Sequence, residues 1–462
     1  MKYESSSAAE IAAAVLAKKT SAGEVVAAAL KRVESIDKTT NAFTDVLAAR
    51  AHETAARIDK RVAHSDRLPL AGVPFAVKNL FDVRGIPTRA GSKINREREP
   101  ARLDSPLIER LEAQGAVLVG ALNMGEYAYD FTGENAHDGA ARNPHNPDYM
   151  TGGSSSGSGG AVAAGLVALT LGSDTNGSIR VPSSFCGLFG LKPTYGRLSR
   201  ARSFPFVGSL DHLGPLARSA MDLALSYDAM QGPDREDPVC AQRPVEPAAG
   251  ELAQGIKGLR IAKLGGYFAK MGEADAFAAV DKVAQALSAI ETVELKDAAV
   301  ARASAYLITA AEGAALHLPR LRERAADFDP DVRDRLLGGA LIPAAWTIHA
   351  QKVRRLFQAQ VREIFERYDL LIAPATPTRA PKIGQKKFTL DGQELLVRPN
   401  IGLYTQPISF VGLPVAAVPV WLDDGLPIGV QIIAPPWRED LALRAAYALE
   451  RSGVCVRKVA SL

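Results

Sequence analysis

Residues Gly152 to Gly160 are all glycine or serine, Gly-Gly-Ser-Ser-Ser-Gly-Ser-Gly-Gly, and the chain runs straight from them into the small, apolar stretch Ala161–Leu171. Such a composition on its own describes a flexible linker. The flank argues against that, because a linker does not feed directly into a segment built for burial. A Gly/Ser loop opening into a buried helix and strand instead presents unpaired backbone N–H groups, an anion-binding arrangement. No Gly-Lys-Ser/Thr follows, so the loop is not a nucleotide phosphate loop. Next comes Gly172-Ser173-Asp174-Thr175-Asn176-Gly177-Ser178-Ile179-Arg180. Two glycines and Asn176 permit tight turns with positive φ. A turn of that kind aims several N–H groups at one point, as an oxyanion hole requires. Ser178, at its end, is a candidate nucleophile.

A serine nucleophile needs a base. The seven histidines, His52, His64, His137, His145, His212, His317 and His349, are scattered and form no obvious partner set. Gly153–Gly157 matches G-x-S-x-G with Ser155 in the middle, but Pro/Asn-rich residues precede it where a strand should stand. The other available base is a lysine whose ammonium is destabilised by burial. Lys78 ends the apolar run Val73-Pro74-Phe75-Ala76-Val77. Taken alone, it either reaches solvent at a strand end or lies buried as such a base.

These three segments together resemble the amidase signature family. The family pattern is a Val-Pro-x-x-x-Lys strand, a Gly-Gly-Ser-Ser-Gly-Gly-Ser loop and a Gly-Ser-Asp-x-Gly-Gly-Ser-Ile-Arg turn. Here they stand as Val73–Lys78, Gly152–Ser158 and Gly172–Arg180, in that order, with Ser154 and Ser178 spaced 24 residues apart. The likeness continues through Gly187–Arg197 and Gly425–Gly429. It implies an α/β amidase signature fold, a central mixed twisted sheet covered by helices on both faces. It also implies a Ser-cisSer-Lys mechanism with neither metal nor cofactor. Ser178 attacks the amide carbonyl, and Ser154, after a cis Gly153–Ser154 peptide, relays the proton to Lys78. The N–H groups of Thr175, Asn176, Gly177 and Ser178 form the oxyanion hole. Ser155, Asp174 and Arg180 support these groups from behind. Two departures are Ser156 and Asn176, each standing where the family has glycine; Asn tolerates positive φ better than other side chains and narrows the pocket.

Within the family, Thr175–Pro182 and Ser203–Pro215 are most similar to members that release ammonia from a small carboxylated biuret or urea. Those members imply a small helical partner subunit, together with a dimer of the large subunit. The alternatives are members that release ammonia from glutamine for a tRNA amidotransferase, an allophanate hydrolase-like amidase, and a catalytically silent binding protein. Arg354 matches the position expected to bind a substrate carboxylate. The acidic residue that glutamine-cleaving members use for the amino group falls at Gly402, which cannot pair with an ammonium. A substrate with a carboxylate and no amino group follows.

Strands alternating with helical patterns from Leu70 onward support an α/β fold independently. Expected strands are Val73–Lys78, Ala116–Val119, Leu166–Leu171, Gly258–Gly265, Leu370–Ala373 and Ile428–Ile433. Ser7–Glu10 and Ser21–Glu24 read as capping boxes, so residues 1–66 are expected to form an N-terminal helical layer on a catalytic domain spanning 67–462. The stretch 195–300, Pro-rich in its first half, reads as a surface excursion or a subdomain. The 462 residues carry a net charge of only +4, which supplies no argument for nucleic acid. Glu4 and Glu10 interrupt the Ala-rich start, a poor match to a signal peptide, and no apolar run is long enough to span a membrane. Cys186, Cys240 and Cys455 form no CxxC pair. Free thiols and a cytoplasmic setting are expected.

Overall fold

The computed structural model describes residues 2–462. Its centre is an 11-stranded mixed sheet. In chain order the strands are β1 (Phe43–Val46), β2 (Pro74–Lys78), β3 (Val117–Leu122), β4 (Leu169–Asp174), β5 (Phe189–Lys192) and β6 (His212–Ala217). They continue with β7 (Ile261–Leu264), β8 (Glu291–Val293), β9 (Leu370–Pro374), a separate β10–β11 hairpin (Lys387–Leu390, Gln393–Leu396), β12 (Val415–Val420) and β13 (Ile428–Ile433). Their spatial order is β1-β3-β2-β4-β6-β5-β12-β13-β9-β7-β8. Parallel pairing of β2 with β3 and β4, and of β7 with β8 and β9, coexists with antiparallel pairing elsewhere. Strands β2, β3, β4, β6, β12 and β13 are buried along their whole length, which is why β3 and β12 read as continuous apolar runs rather than alternating ones. Helices flank the sheet.

Both capping boxes form, at Ser7/Glu10 and Ser21/Glu24, and open helices Ala8–Leu16 and Ala22–Thr40. The N-terminal region is not helical throughout, however. After Asn41, in a left-handed conformation, the chain enters β1, which pairs antiparallel with β3. This segment therefore extends the sheet as well as covering it. The 195–300 stretch likewise supplies sheet: β6 is inserted between β4 and β5, and β7 and β8 lie toward the far edge. The Gly/Ser loop differs from expectation too. Its second half is already helix, Ser156–Ala163, and every residue of that helix is buried. A Cβ on Gly157 would stand 2.4 Å from the Ala42 carbonyl oxygen and 2.6 Å from the Asn123 nitrogen. Glycine is there for close backbone approach, not for mobility. The helix ends at Gly165 (φ +68°), where Leu166 N–H returns to the Ala161 carbonyl. That glycine-terminated cap delays the strand, so β4 starts at Leu169 rather than Leu166.

One buried cation ties these layers together. Arg218, immediately after β6 and 1% exposed, donates to the carbonyls of Val162 (3.0 Å), Val167 (2.8 Å) and Ser6 (2.5 Å). It thus joins the buried helix, the approach to β4 and the N-terminal segment. Replacing Arg218 by Met strands the Val167 and Ser6 carbonyls, while the Val162 carbonyl keeps the Gly165 N–H; each buried, unpaired group costs of order 1 kcal/mol. We expect Arg218→Met to lose about 2 kcal/mol of stability in urea unfolding; a change within ~0.5 kcal/mol would show that the N-terminal segment is not coupled to the sheet in this way.

Candidate active site

The C-terminal ends of the parallel strands β2 and β4 lie side by side, and the candidate residues gather there. Lys78, the last residue of β2, is fully buried. Its Nζ is in hydrogen-bond contact with Ser154 Oγ at 2.7 Å and Ser173 Oγ at 2.9 Å. Burial pushes its pKa down to about 7, against the partial opposition of the charges on Asp211, Asp174 and Asp130. At neutral pH a large share of this lysine is therefore an uncharged amine. The Gly153–Ser154 peptide bond is cis. Gly153 N–H donates to the Phe131 carbonyl and the Ser154 carbonyl accepts from Gly125 N–H, which pins the peptide from both sides. Ser155 supports Ser173: its Oγ donates to the Ser173 carbonyl (3.1 Å) and accepts from the Ser173 N–H (3.2 Å).

After β4 the chain turns sharply through Thr175–Ile179 and enters the helix Arg180–Cys186. The turn is held by the buried Arg180, whose Nε and Nη2 donate to the two carboxylate oxygens of Asp174 at 3.0 and 2.9 Å. Arg180 also donates to Gln431 Oε1 (2.6 Å), the Thr405 carbonyl (3.1 Å) and Ser409 Oγ. Burial alone would raise the Asp174 carboxyl. The Arg180 guanidinium, with help from Lys192 and His212, outweighs that and holds it well below the usual carboxylate range. Gly177 (φ +143°) is forced by Thr405: a Cβ there would lie 2.3 Å from Thr405 Oγ1, which itself donates to the Asn176 carbonyl at 2.6 Å.

The turn leaves its donors free. The N–H groups of Thr175, Asn176, Gly177 and Ser178 make no hydrogen bond among the described residues. Nor does the Ser178 hydroxyl, to Ser154 or to any other group. Ser178 lines a small cleft with Thr175, Asn176, Phe131, Thr309 and Arg335. A larger cavity of about 370 Å³, lined by Ser173, Phe204 and Asp211, shares Ala128, Thr175 and Phe206 with that cleft. Thr175 Oγ1 donates to Asp211 (2.6 Å), and the Asn176 carboxamide donates through Nδ2 to Thr309 Oγ1 (2.9 Å).

Arg354 sits elsewhere. From the helix Ala344–Arg367 it donates to the Ser209 carbonyl (3.0 Å) and lies 5.9 Å from the ring centres of both Tyr195 and Phe410. None of those residues lines the Ser178 cleft. The cation that does line it is Arg335, on the helix Pro330–Gly339, which no motif marked. Gly402 is occupied from outside: a Cβ there would come 2.4 Å from the Phe131 ring. Phe131 therefore fills the space a larger residue would take. The cleft's one acidic lining residue, Asp130, is already paired with Arg398 and accepts from Gly133 N–H and Thr132 Oγ1.

A family model described as Amidase matches residues 24–443. The chain is 53% identical over 448 residues to AtzE, a 1-carboxybiuret hydrolase subunit of Pseudomonas sp. (strain ADP), covering 96% of this chain and 98% of that protein. It is 36% identical to a glutamyl-tRNA(Gln) amidotransferase subunit of Bacillus velezensis, covering 93% of each. A solved structure described as a vestigial protein complex that reveals the origins of an s-triazine catabolic enzyme superposes with a TM-score of 0.97 at 52% identity, covering 98% of this chain and all of that one.

The Asp174–Arg180 pair sets the shape of the turn, so its loss should be felt in stability first. Arg180→Met leaves a buried carboxylate without its partner, a change that typically costs ~3–5 kcal/mol. We expect a loss of that size by chemical denaturation, and partial recovery in the double variant Asp174→Asn/Arg180→Met. A double variant as unstable as the sum of both single ones would mean the two side chains act independently.

Proposed function

We propose that this chain, which belongs to the amidase signature family, hydrolyses 1-carboxybiuret to 1,3-dicarboxyurea and ammonia through a carbamoyl-enzyme on Ser178. The observation that carries the mechanism is the buried Lys78 amine, 2.7 Å from the Ser154 hydroxyl, with its pKa brought down to about 7. Ser178 Oγ attacks the terminal carbamoyl carbon. Its proton passes to Ser154, and Ser154 delivers its own to neutral Lys78. The four free N–H groups of Thr175–Ser178 receive the developing oxyanion, the kind of preorganised donor set worth several kcal/mol in acyl transfer. Lys78 returns the proton through Ser154 to the departing nitrogen, which leaves as ammonia. Water then attacks the carbamoyl-enzyme by the same relay in reverse, releasing the second product and restoring Ser178.

The substrate reading is supported by the 53% identity to a 1-carboxybiuret hydrolase subunit over nearly both chains. Glutamine is the second reading, from the 36% relative. It is disfavoured by the Phe131 ring against Gly402 and by the prior pairing of Asp130 with Arg398, because no free acid remains to hold an α-ammonium. A small helical partner subunit, together with a dimer of the large subunit, belongs to the same proposal, supported by a similar structure described as a protein complex. So does a cytoplasmic setting, supported by three free, buried thiols. No described helix is long and apolar enough to cross a membrane.

Ammonia release from 1-carboxybiuret and from glutamine separates the two substrates: turnover of glutamine alone would overturn the first. Ser178→Ala and Lys78→Met should each lower kcat/KM by at least ~10³-fold, as for members of a relay that acts as a unit. The pH dependence follows from the neutral lysine. Below pH about 7 the amine is protonated and cannot accept. The log of kcat/KM should therefore rise with a slope of about one up to that pH and flatten above it. A rate independent of pH from 9 down to about 5 would exclude Lys78 as the base.

A further inference from the structure

The residues lining the Ser178 cleft include two polar groups that the relay does not use and that lack their natural counterpart within the fold, one an acceptor without a donor and the other a cation without a carboxylate. The first is Asn176 Oδ1. Asn176 is 6% exposed, and its carboxamide is fixed at one end by the 2.9 Å bond from Nδ2 to Thr309 Oγ1. Its backbone is fixed as well, by the Thr405 hydroxyl on its carbonyl. With backbone and Nδ2 both held, Oδ1 is left buried without a hydrogen-bond partner. A buried acceptor without a partner loses its hydration for no return, so it persists where something else supplies the donor. The second is the Arg335 guanidinium. Its Nε donates to the Asp331 carbonyl (2.7 Å), its Nη2 to the Tyr129 carbonyl, and its Cζ lies 3.8 Å from the Tyr129 ring centre. It has no carboxylate partner among the described residues, although Arg398 nearby has three. The result is an oriented cation and an oriented acceptor in the wall that holds the candidate nucleophile.

We infer that Asn176 Oδ1 accepts the N–H next to the scissile carbamoyl carbon and that Arg335 takes the substrate carboxylate, so that together they select carboxylated ureas over simple carboxamides. The inference deepens the proposed function and rests on it for the substrate class. The chemistry is complementary at both points. A urea nitrogen carries an N–H donor where the corresponding CH2 of an aliphatic amide offers none, and a hydrogen-bond acceptor tells them apart. A guanidinium without an internal carboxylate offers the donors its two carbonyl partners leave free to a substrate carboxylate in a geometry lysine cannot match. Arg354, held at the Ser209 carbonyl outside the cleft, is excluded from this task.

Stable ligands test this without turnover. The Ser178→Ala protein is titrated by calorimetry with hydantoate (N-carbamoylglycine), with succinamate, which replaces the urea N–H by CH2, and with neutral N-carbamoylglycinamide. Hydantoate should bind about tenfold more tightly than succinamate, the discrimination expected of a site whose buried acceptor is otherwise unpaired. It should bind about 30–100-fold more tightly than the neutral amide, as for a charge-assisted pair. Adding Asn176→Ala should bring the first ratio to about one and leave the second. Adding Arg335→Met should do the opposite. Thr309→Val, which frees the carboxamide to rotate, should erode the first ratio partway, and Arg335→Lys should retain only part of the second. These milder variants serve if either truncation fails to fold. Adding Arg354→Met should change neither ratio. Hydantoate binding that is undetectable, ratios that survive both truncations, or a second ratio lost in Arg354→Met instead would each overturn the inference. Failure of wild-type protein to hydrolyse 1-carboxybiuret would overturn the proposed function separately, because the binding ratios do not depend on it.

Discussion

Everything at this site follows from placing a lysine amine where water cannot reach it and giving it hydroxyls rather than a carboxylate to touch. Lys78 meets Ser154 and Ser173. The nearest negative charges that act on it, Asp211, Asp174 and Asp130, oppose its desolvation only in part. A direct ion pair would have kept the ammonium charged and useless as a base. The carboxylates are instead committed elsewhere: Asp174 to Arg180, Asp130 to Arg398, and Asp211 to the Thr175 hydroxyl and the N–H groups of Phe206 and Val207. Each of these pairings has two effects. It builds a loop, and it keeps an anion away from the amine.

The same constraint explains the glycines. Gly157 and Gly177 look like flexibility on paper, yet each sits against another atom that a Cβ would displace, the Ala42 carbonyl in one case and Thr405 Oγ1 in the other. Close backbone approach brings Ser154 beneath the end of β2 and stretches the 175–178 turn so that its N–H groups stay free. A turn that satisfied its own donors would be more stable and would have nothing to offer an oxyanion.

Much of this is legible in the chain itself. The Val73–Lys78 run, the two capping boxes and the order of the three motifs each depend on neighbours close in sequence, and sheet and helix physics acts on that scale. The α/β architecture, a mixed sheet flanked by helices, agrees with expectation. Structure near 41–46 is not legible: four residues of strand after a left-handed Asn41 are too few to show periodicity, and only pairing with β3 makes them a strand. The start of β4 is obscured because the apolar residues Leu166 and Val167 serve a helix cap as readily as a strand. Arg354 stands out by its place in a motif, but helical position does not say which neighbour a long side chain meets. Its guanidinium is held at the Ser209 carbonyl between Tyr195 and Phe410.

That last case separates two kinds of information in the fold. The candidate reacting groups come from the end of β2, the Gly/Ser loop before the buried helix and the turn that follows β4, elements whose geometry is set by backbone pairing and buried charge. The walls come from a different layer: Thr309 from the helix Ala298–Arg324 and Arg335 from Pro330–Gly339, which packs against it. Helices in that layer rest on the site through side chains, without ladder hydrogen bonds to β2 or β4. They can exchange residues without disturbing Lys78, Ser154 or the 175–178 turn. Asn176 is where the two layers meet, its backbone belonging to the turn and its carboxamide held by Thr309. A change of substrate in such a fold is therefore expected to run through the helical layer and this one side chain, leaving the chemistry beneath intact.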